Sequence, residues 1–417
     1  MEVLHPRCAG LDVHRDTVVA CARIAAGDVV QREVETFGTT TEQLFQLSEW
    51  LSARGVTHVA MEATGVYWRP VWHVLQQGFT LILANASHVK NVPGRKTDVN
   101  DATWLAELLA HGLIRSSFVP PPPVQALRSL TRTRKQLVRE RASHVQRIDK
   151  TLQDANIKLG SVLSDIMGTS GRAILEAIAA GESDPEALAA LVTTRVRAPR
   201  AEIARALQGS ATETHRFLLR LHLQQITSLD EALKAVDRQI GDAMRPFRDA
   251  AAHLSTAPGV AMTAASAIVS EIGTDMSRFP SPQHLVSWAG LSPRNDESAG
   301  KRRSTRVRPG APWLKTMLVQ CAWCATRAKG SYLRAKFLRI RARRGPRKAI
   351  LAVAAALTRA FWFMLKHGAE WRDLGPDYFT RTERTKIATR LVRRLADMGF
   401  SVTLAENPDA SSAAVSS

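Results

Sequence analysis

Up to Gly112 the apolar positions alternate between a strand-like period of two and a helix-like period near 3.6. Cys8–His14 and Thr17–Ile24 are apolar or β-branched runs parted by a polar turn, and Asp28–Thr36 follows, which predicts an antiparallel meander. Thr41–Ala53 sets Leu44, Leu47 and Leu51 on one face behind a threonine cap, a helix signal. Thr57–Met61 and Phe79–Ala84 are short apolar runs with the character of buried strands, and Val66–Gln77 between them reads as a helix. Asp98–Gly112 predicts a further helix stopped by glycine. A meander followed by β/α units predicts a mixed sheet with flanking helices, hence an α/β domain.

The pattern then changes. Pro120–Pro123 is an unbroken proline run, read as an extended spacer and a domain boundary. From Val124 to about Ala252 the periodicity is helical throughout. Leu127, Leu130, Leu137 and Val145 recur in a basic segment, and Leu218 to Ile240 mark a long amphipathic or coiled helix within His215–Met244. Beyond His253, a Pro-Gly pair between apolar residues opens an Ala-rich run, the look of a helix-hairpin-helix whose amides hold a backbone phosphate. A plain packing unit fits the same residues. The expected organisation is residues 1–119, 120–252 (helical or coiled-coil arm), 253–375 (mainly α) and 376–417 (a helix and a small-residue, disordered tail).

Charge sharpens the contrast. The formal net charge is +19, yet residues 1–120 hold ten Lys/Arg against twelve Asp/Glu. Residues 301–348 contain sixteen Lys/Arg and no acid, interleaved with Trp313, Trp323, Tyr332 and Phe337. Such a block points to a polyanion, nucleic acid before membrane, with Lys301, Arg302, Arg303, Arg306, Arg308 and Lys315 as candidate contacts. Four cysteines are too few for a disulfide framework, and Cys321/Cys324 has no second pair at zinc-finger spacing and reads as two buried helix cysteines. The longest apolar stretch, Ala349–Leu365, is broken by Arg359, so no membrane span is expected and the chain reads as soluble, cytoplasmic and nucleoid-associated.

Four carboxylates stand out against this basic background. Asp12 ends one apolar strand and Glu62 another; Asp98 and Asp101 are three apart and share a helical face, where helix capping is the competing role. Clustered carboxylates repel unless a cation sits among them, and hard oxygen ligands suit Mg²⁺ or Mn²⁺. Two such ions clamp a phosphodiester in transfer reactions.

At these residues the chain resembles a family of insertion-sequence transposases. The stretches that carry the resemblance are Gly10-Leu-Asp-Val-His14, Met61-Glu-Ala-Thr-Gly65 and Lys96-Thr-Asp-Val-Asn-Asp-Ala102, then Leu285–Arg303 and Pro312–Trp323. The resemblance implies a RuvC-like, ribonuclease-H-fold domain with Asp12, Glu62, Asp98 and Asp101 as its acidic metal set. It also implies a C-terminal domain with a nucleophilic serine at Ser298, donor and target DNA, a bridge-RNA guide, and a dimer or tetramer with a shared site. Arg308-Pro-Gly-Ala-Pro312 departs from the family's usual Lys and Asn. Ser292 and Ser304 are rival serines. A junction nuclease without a covalent intermediate, an actin-like ATPase and a non-catalytic scaffold are the competing classes; no Gly-rich phosphate loop supports the ATPase.

Overall fold

The structure, a computed structural model, describes residues 2–403 apart from 28, 64, 85–88, 90–99, 115, 194–195, 294–295, 299–300, 305–306 and 308–309. Within 296–298, 301–304 and 380–387 it describes the backbone alone. The expected tail from Ala405 lies outside the described residues. The chain forms two compact units, Met1–Val119 and Pro120–Ser417.

The first unit is a five-stranded mixed sheet in the order β3-β2-β1-β4-β5. Its strands are β1 (Arg7–Val13), β2 (Thr17–Ala26), β3 (Val29–Gly38), β4 (His58–Glu62) and β5 (Thr80–Ala84). The first three form the expected antiparallel meander, while β4 runs parallel to β1 and β5 parallel to β4. A central β1 must be covered on both faces, which explains why its side chains are apolar at odd and even positions alike. Ala9, Leu11 and Val13 face α1 (Thr41–Ala53) and α2 (Trp68–Leu75), where Leu44, Leu47, Leu51, Val71 and Leu75 complete the core. Thr40 caps α1 by accepting from the Gln43 amide. The opposite face carries α3 (Asp101–Ala110), packed so closely that a Cβ on Gly10 would lie 2.1 Å from the Ala102 carbonyl oxygen and 2.4 Å from the Ala106 nitrogen. Glycine is therefore required at position 10 for helix–sheet contact.

In the second unit the proline run is not a spacer. Pro121 is the N-cap of the 33-residue α4 (Pro122–Asp154), and prolines occupy its first positions. There the missing N–H costs nothing and the fixed φ suits the helix. Four short helices follow: α5 (Leu159–Val162), α6 (Thr169–Ala180), α7 (Pro185–Ala190) and α8 (Arg200–Ala206). Then α9 (Glu213–Ala243) runs back antiparallel to α4, pinned by Arg134–Asp237 and Arg141–Asp230 ion pairs at 2.5 Å. Ile148, Leu152, Ile174, Ile178, Leu219 and Ile226 form the core of this arm.

The Pro-Gly turn joins α10 (Arg248–Ser255) to α11 (Met262–Ile272), so a helix–turn–helix is present as expected. One side of its turn is packed, however, although Gly259 itself is exposed. Gly259 has φ +78, and a Cβ there would lie 2.4 Å from the Ala325 nitrogen. The turn is thus a packing joint on the side of Gly259. After α12 (Pro282–Trp288) comes a two-stranded hairpin that apolar periodicity does not announce, β6 (Asp296–Ser298) and β7 (Lys301–Ser304). The chain continues as α13 (Pro312–Ala325), α14 (Tyr332–Arg344), α15 (Pro346–His367) and α16 (Tyr378–Asp397). Cys321 is buried, with its thiol pushed up to about 11 by burial, whereas Cys324 is exposed, against the expectation of two buried cysteines. Contrary to the reading of Arg359 as a break, α15 is long and apolar enough to cross a membrane by length and composition, with mean hydropathy 1.6 over an 18-residue stretch. It serves as a core helix of this unit instead: Phe361 is buried and Trp362 donates to the Phe279 carbonyl at 2.9 Å.

Candidate active site

The register of two parallel strands brings the first two acids together. Leu11 pairs with Met61 across β1 and β4, so Asp12 and Glu62 follow side by side at the C-terminal ends of neighbouring strands. Alternation fixes their face. Leu11 and Met61 point into the core under α1 and α2, so Asp12 and Glu62 belong to the face that α3 covers. Both are half-buried, and Asp12 lies 3.2 Å from the His14 Nε2.

The same face holds the start of α3. Asn100 is its N-cap, accepting from the Ala102 amide at 2.9 Å, and Asp101 is its first residue. Asn100 supplies the cap hydrogen bond, while Asp101 sits in the first turn, where its charge also favours the helix start. Ala102 stacks over Gly10, two residues before Asp12 on the same strand. Three of the four expected acids thus belong to one face of the sheet: two at strand ends, one at the helix start. Asp98 lies outside the described residues, and with it the expected pairing of Asp98 with Asp101 on one helical face. Among the described residues, no set of three acidic, histidine or cysteine side chains is close enough together to hold a metal ion. Asp12 and Glu62 nonetheless offer what a hard divalent cation takes: carboxylate oxygens, adjacent and partly withdrawn from water.

Behind this edge α3 is fastened to the sheet by a charge cluster that sequence reading missed. Arg23, buried in β2, donates to Glu107 at 3.0 Å; Arg32 does so at 3.0 Å, and His111 sits 3.1 Å from the same carboxylate. Burial pushes Glu107 upward, but the hydrogen bonds from Arg23 and Arg32 and their charge, with His111, bring it down to about 2. His111 is an i,i+4 neighbour of Glu107, the one local signal, whereas Arg23 and Arg32 lie far off in the sequence and no local motif could have revealed them.

Ser298 lies in the other unit. It is the last residue of β6 and pairs with Lys301, the first of β7. Arg302 opposes Glu297, Ser304 opposes Asp296, and Arg303 lies between them on β7. The register thus sets the serine's backbone directly across from the first of the expected cations. Arg306 and Arg308 lie outside the described residues. A bridge between Pro293 and Val307 closes the root of the hairpin, beside the half-buried rival Ser292. Lys315, on α13, has its ammonium pKa lowered by burial. Nearby on α13, Trp313 is surrounded by Arg132, Lys135 and Arg139 of α4, each 5.3–5.6 Å from the ring centroid. The basic block and the arm therefore meet through cation–π contacts, and this tryptophan packs against cations of the same unit.

A mixed sheet with two carboxylates at neighbouring strand ends, followed by a strongly basic helical unit, fits the class of proteins that act on nucleic acid. Comparison with known proteins gives the family. Residues 9–157 match a transposase family model named for the DEDD domain of IS110, and residues 251–338 match the transposase IS116/IS110/IS902 family. The two matches together span more than half of the chain, and it is an IS110-family transposase. A Pseudomonas aeruginosa protein named "Probable family 20 transposase" is 26% identical over 322 residues, covering 75% of this chain and 85% of its own length. The transposase for insertion sequence element IS1328 of Yersinia enterocolitica is 25% identical over 281 residues, covering 66% of this chain and 73% of its own length.

Proposed function

We propose that the protein cuts and rejoins DNA with Ser298 as nucleophile, and that the carboxylates of a RuvC-like, ribonuclease-H-type first domain serve the same phosphodiester. The observation that carries this reading is the β1–β4 register, which sets Asp12 and Glu62 one position beyond the Leu11–Met61 pair, on the sheet face that α3 covers. With Asp98 they would hold Mg²⁺ or Mn²⁺, which would supply charge neutralisation at the phosphate and lower the pKa of an attacking hydroxyl. The rest falls to the chain. Ser298 Oγ attacks phosphorus, forming a serine–phosphate bond as the bond to a deoxyribose oxygen breaks; the serine proton is lost to water and the leaving oxygen takes up a proton from water. Attack by a second strand's hydroxyl reverses the step, releases the serine and rejoins the backbone. Lys301, Arg302 and Arg303, with Arg306, Arg308 and Lys315, stabilise the phosphate's added charge and hold the strand. Specificity rests with a bridge RNA, so the protein's own contacts are to backbone. The site is shared between protomers of a dimer or tetramer in the cytoplasm.

The test is a denaturation-resistant protein–DNA adduct on end-labelled DNA. Ser298→Ala abolishes it, while Ser292→Ala and Ser304→Ala retain it. Full recombination by Ser298→Ala removes the serine mechanism, and free cleaved ends with no adduct favour the junction-nuclease reading. Purification without nuclease, followed by sequencing of bound RNA, tests the guide: no recurring RNA removes that part.

A further inference from the structure

A cleft of about 970 Å³ lies at the root of the serine hairpin, lined by Lys336, Arg344, Arg347, Lys348 and Arg359 and, among the described residues, by no carboxylate. Ser292, Pro293 and Val307 form part of its wall, so it adjoins the bridge that closes the hairpin. Two further observations mark it as built for an anion. Arg347 and Lys348 occupy the first turn of α15, where no acid accompanies them. Cations there oppose the helix dipole, whose positive end favours negative charge. Arg359, deeper along the same helix, has its Nε buried with no hydrogen-bond partner among the described residues. Five cations crowded on one concave wall, two of them at the wrong end of a helix, repel one another until an anion enters.

We propose that this cleft holds the sugar–phosphate backbone of the DNA strand beside the phosphodiester that Ser298 attacks. The inference rests on the serine reading for its register alone. Ser298 is five residues from Pro293, at most about 18 Å of chain. At about 3.4 Å of rise per nucleotide, the cleft's phosphates lie within about five nucleotides of the attacked one. Arg344, Arg347, Lys348 and Arg359 are therefore positioning residues, acting on the strand's path rather than on the reacting atoms. Arg344, Arg347 and Lys348 are exposed, so they are free to meet a strand without refolding.

The experiment is the salt dependence of binding, measured with the full-length protein on a duplex DNA and on an RNA hairpin of equal length. In a Ser298→Ala background, Arg347→Ala with Lys348→Ala makes the slope of log affinity against log salt shallower by about 1.8 on DNA, two contacts at about 0.9 each. The charge-keeping exchange of Arg347→Lys with Lys348→Arg restores the slope, which separates lost contact from lost fold. An unchanged DNA slope overturns the proposal, as does a loss confined to RNA, which would make the cleft a guide site. Because binding is read without the serine, the two readings fail separately: retained adducts in Ser298→Ala sink the nucleophile and leave the cleft standing.

Discussion

Arg132 grips Glu271 with both ends of its guanidinium, donating to the two carboxylate oxygens at 2.8 and 2.9 Å. Arg128 lies 3.5 Å from the same carboxylate, whose side chain is only 5% exposed, and also donates to the Glu271 backbone carbonyl. This cluster ties α4, the first helix of the arm, to α11 behind the Pro-Gly turn. Removing one partner of a buried pair leaves the other charge desolvated and alone. Glu271→Ala should therefore cost about 1–3 kcal/mol of stability, because Arg132 loses its carboxylate while Arg128 keeps its backbone acceptors. Urea unfolding followed by helical circular dichroism measures it. A loss near that of an exposed pair, below about 1 kcal/mol, would mean the cluster is hydrated and the tie between the helices lies elsewhere.

Gly10 supplies a sharper test of how the acidic edge is assembled. The added methyl of Gly10→Ala meets backbone atoms of Ala102 and Ala106 and the Leu105 Cβ at 2.8 Å, none of which can swing away like a side-chain tip. The helix must lift from the sheet, and Asp101 moves with it. Overpacking of this kind costs about 1–3 kcal/mol. Activity should fall by more than that loss explains, since the folded fraction that remains carries a displaced carboxylate. Recombination assayed well below the variant's melting temperature checks it, and wild-type activity there would show that α3 does not set the position of Asp101.

The first unit was largely legible in its sequence because its elements announce themselves locally. Alternating and continuous apolar runs gave each of the five strands to within a few residues, and the glycine after α3 gave its end. Legibility ended where chemistry depends on pairing. His111 is an i,i+4 neighbour of Glu107 and could have been read locally, but nothing near Glu107 signals that Arg23 and Arg32 converge on it from two distant strands. The serine hairpin escaped because β6 and β7 are charged strands without an apolar face, so periodicity offers nothing to count. The proline run misled for a simple reason: the residues that forbid a helix interior are favoured at its first turn, and composition alone cannot tell the two positions apart. Arg359 misled likewise, because a long side chain can sit in a mostly buried helix when its head reaches a cleft.

The Glu107 cluster gives a pH prediction with a definite sign. Its folded pKa of about 2 lies below the ordinary 4.5, so the unfolded chain binds the proton more readily. Its stabilising contribution is complete above about pH 4.5 and is lost as pH falls from there toward 2. The first unit of wild-type protein should lose melting temperature through that window, and Glu107→Gln should flatten the loss while lowering stability at neutral pH. Melting curves from pH 6 to 2.5 read both effects. Parallel curves for the two proteins would assign the acid sensitivity to other carboxylates.

Asp12 carries the last prediction, because the β1 turn contains its own control. Asp12 is 24% exposed at the sheet edge, whereas Asp16, four residues on, is 84% exposed beyond the strand. If charge near the edge were all that mattered, Asp12→Asn and Asp16→Asn would act alike. If Asp12 and Glu62 together hold a cation, Asp12→Asn and Glu62→Gln should weaken Mn²⁺ binding by at least about 10–100-fold, the range seen even for residues behind the ligands. Asp16→Asn should leave it unchanged. His14→Ala falls between them, removing a neighbour 3.2 Å from Asp12 without removing an oxygen ligand. Calorimetric titration of the full-length protein with Mn²⁺ reads binding directly, apart from catalysis. Equal affinity in wild type, Asp12→Asn and Glu62→Gln would reduce the paired carboxylates to a structural edge and leave the chemistry without its metal.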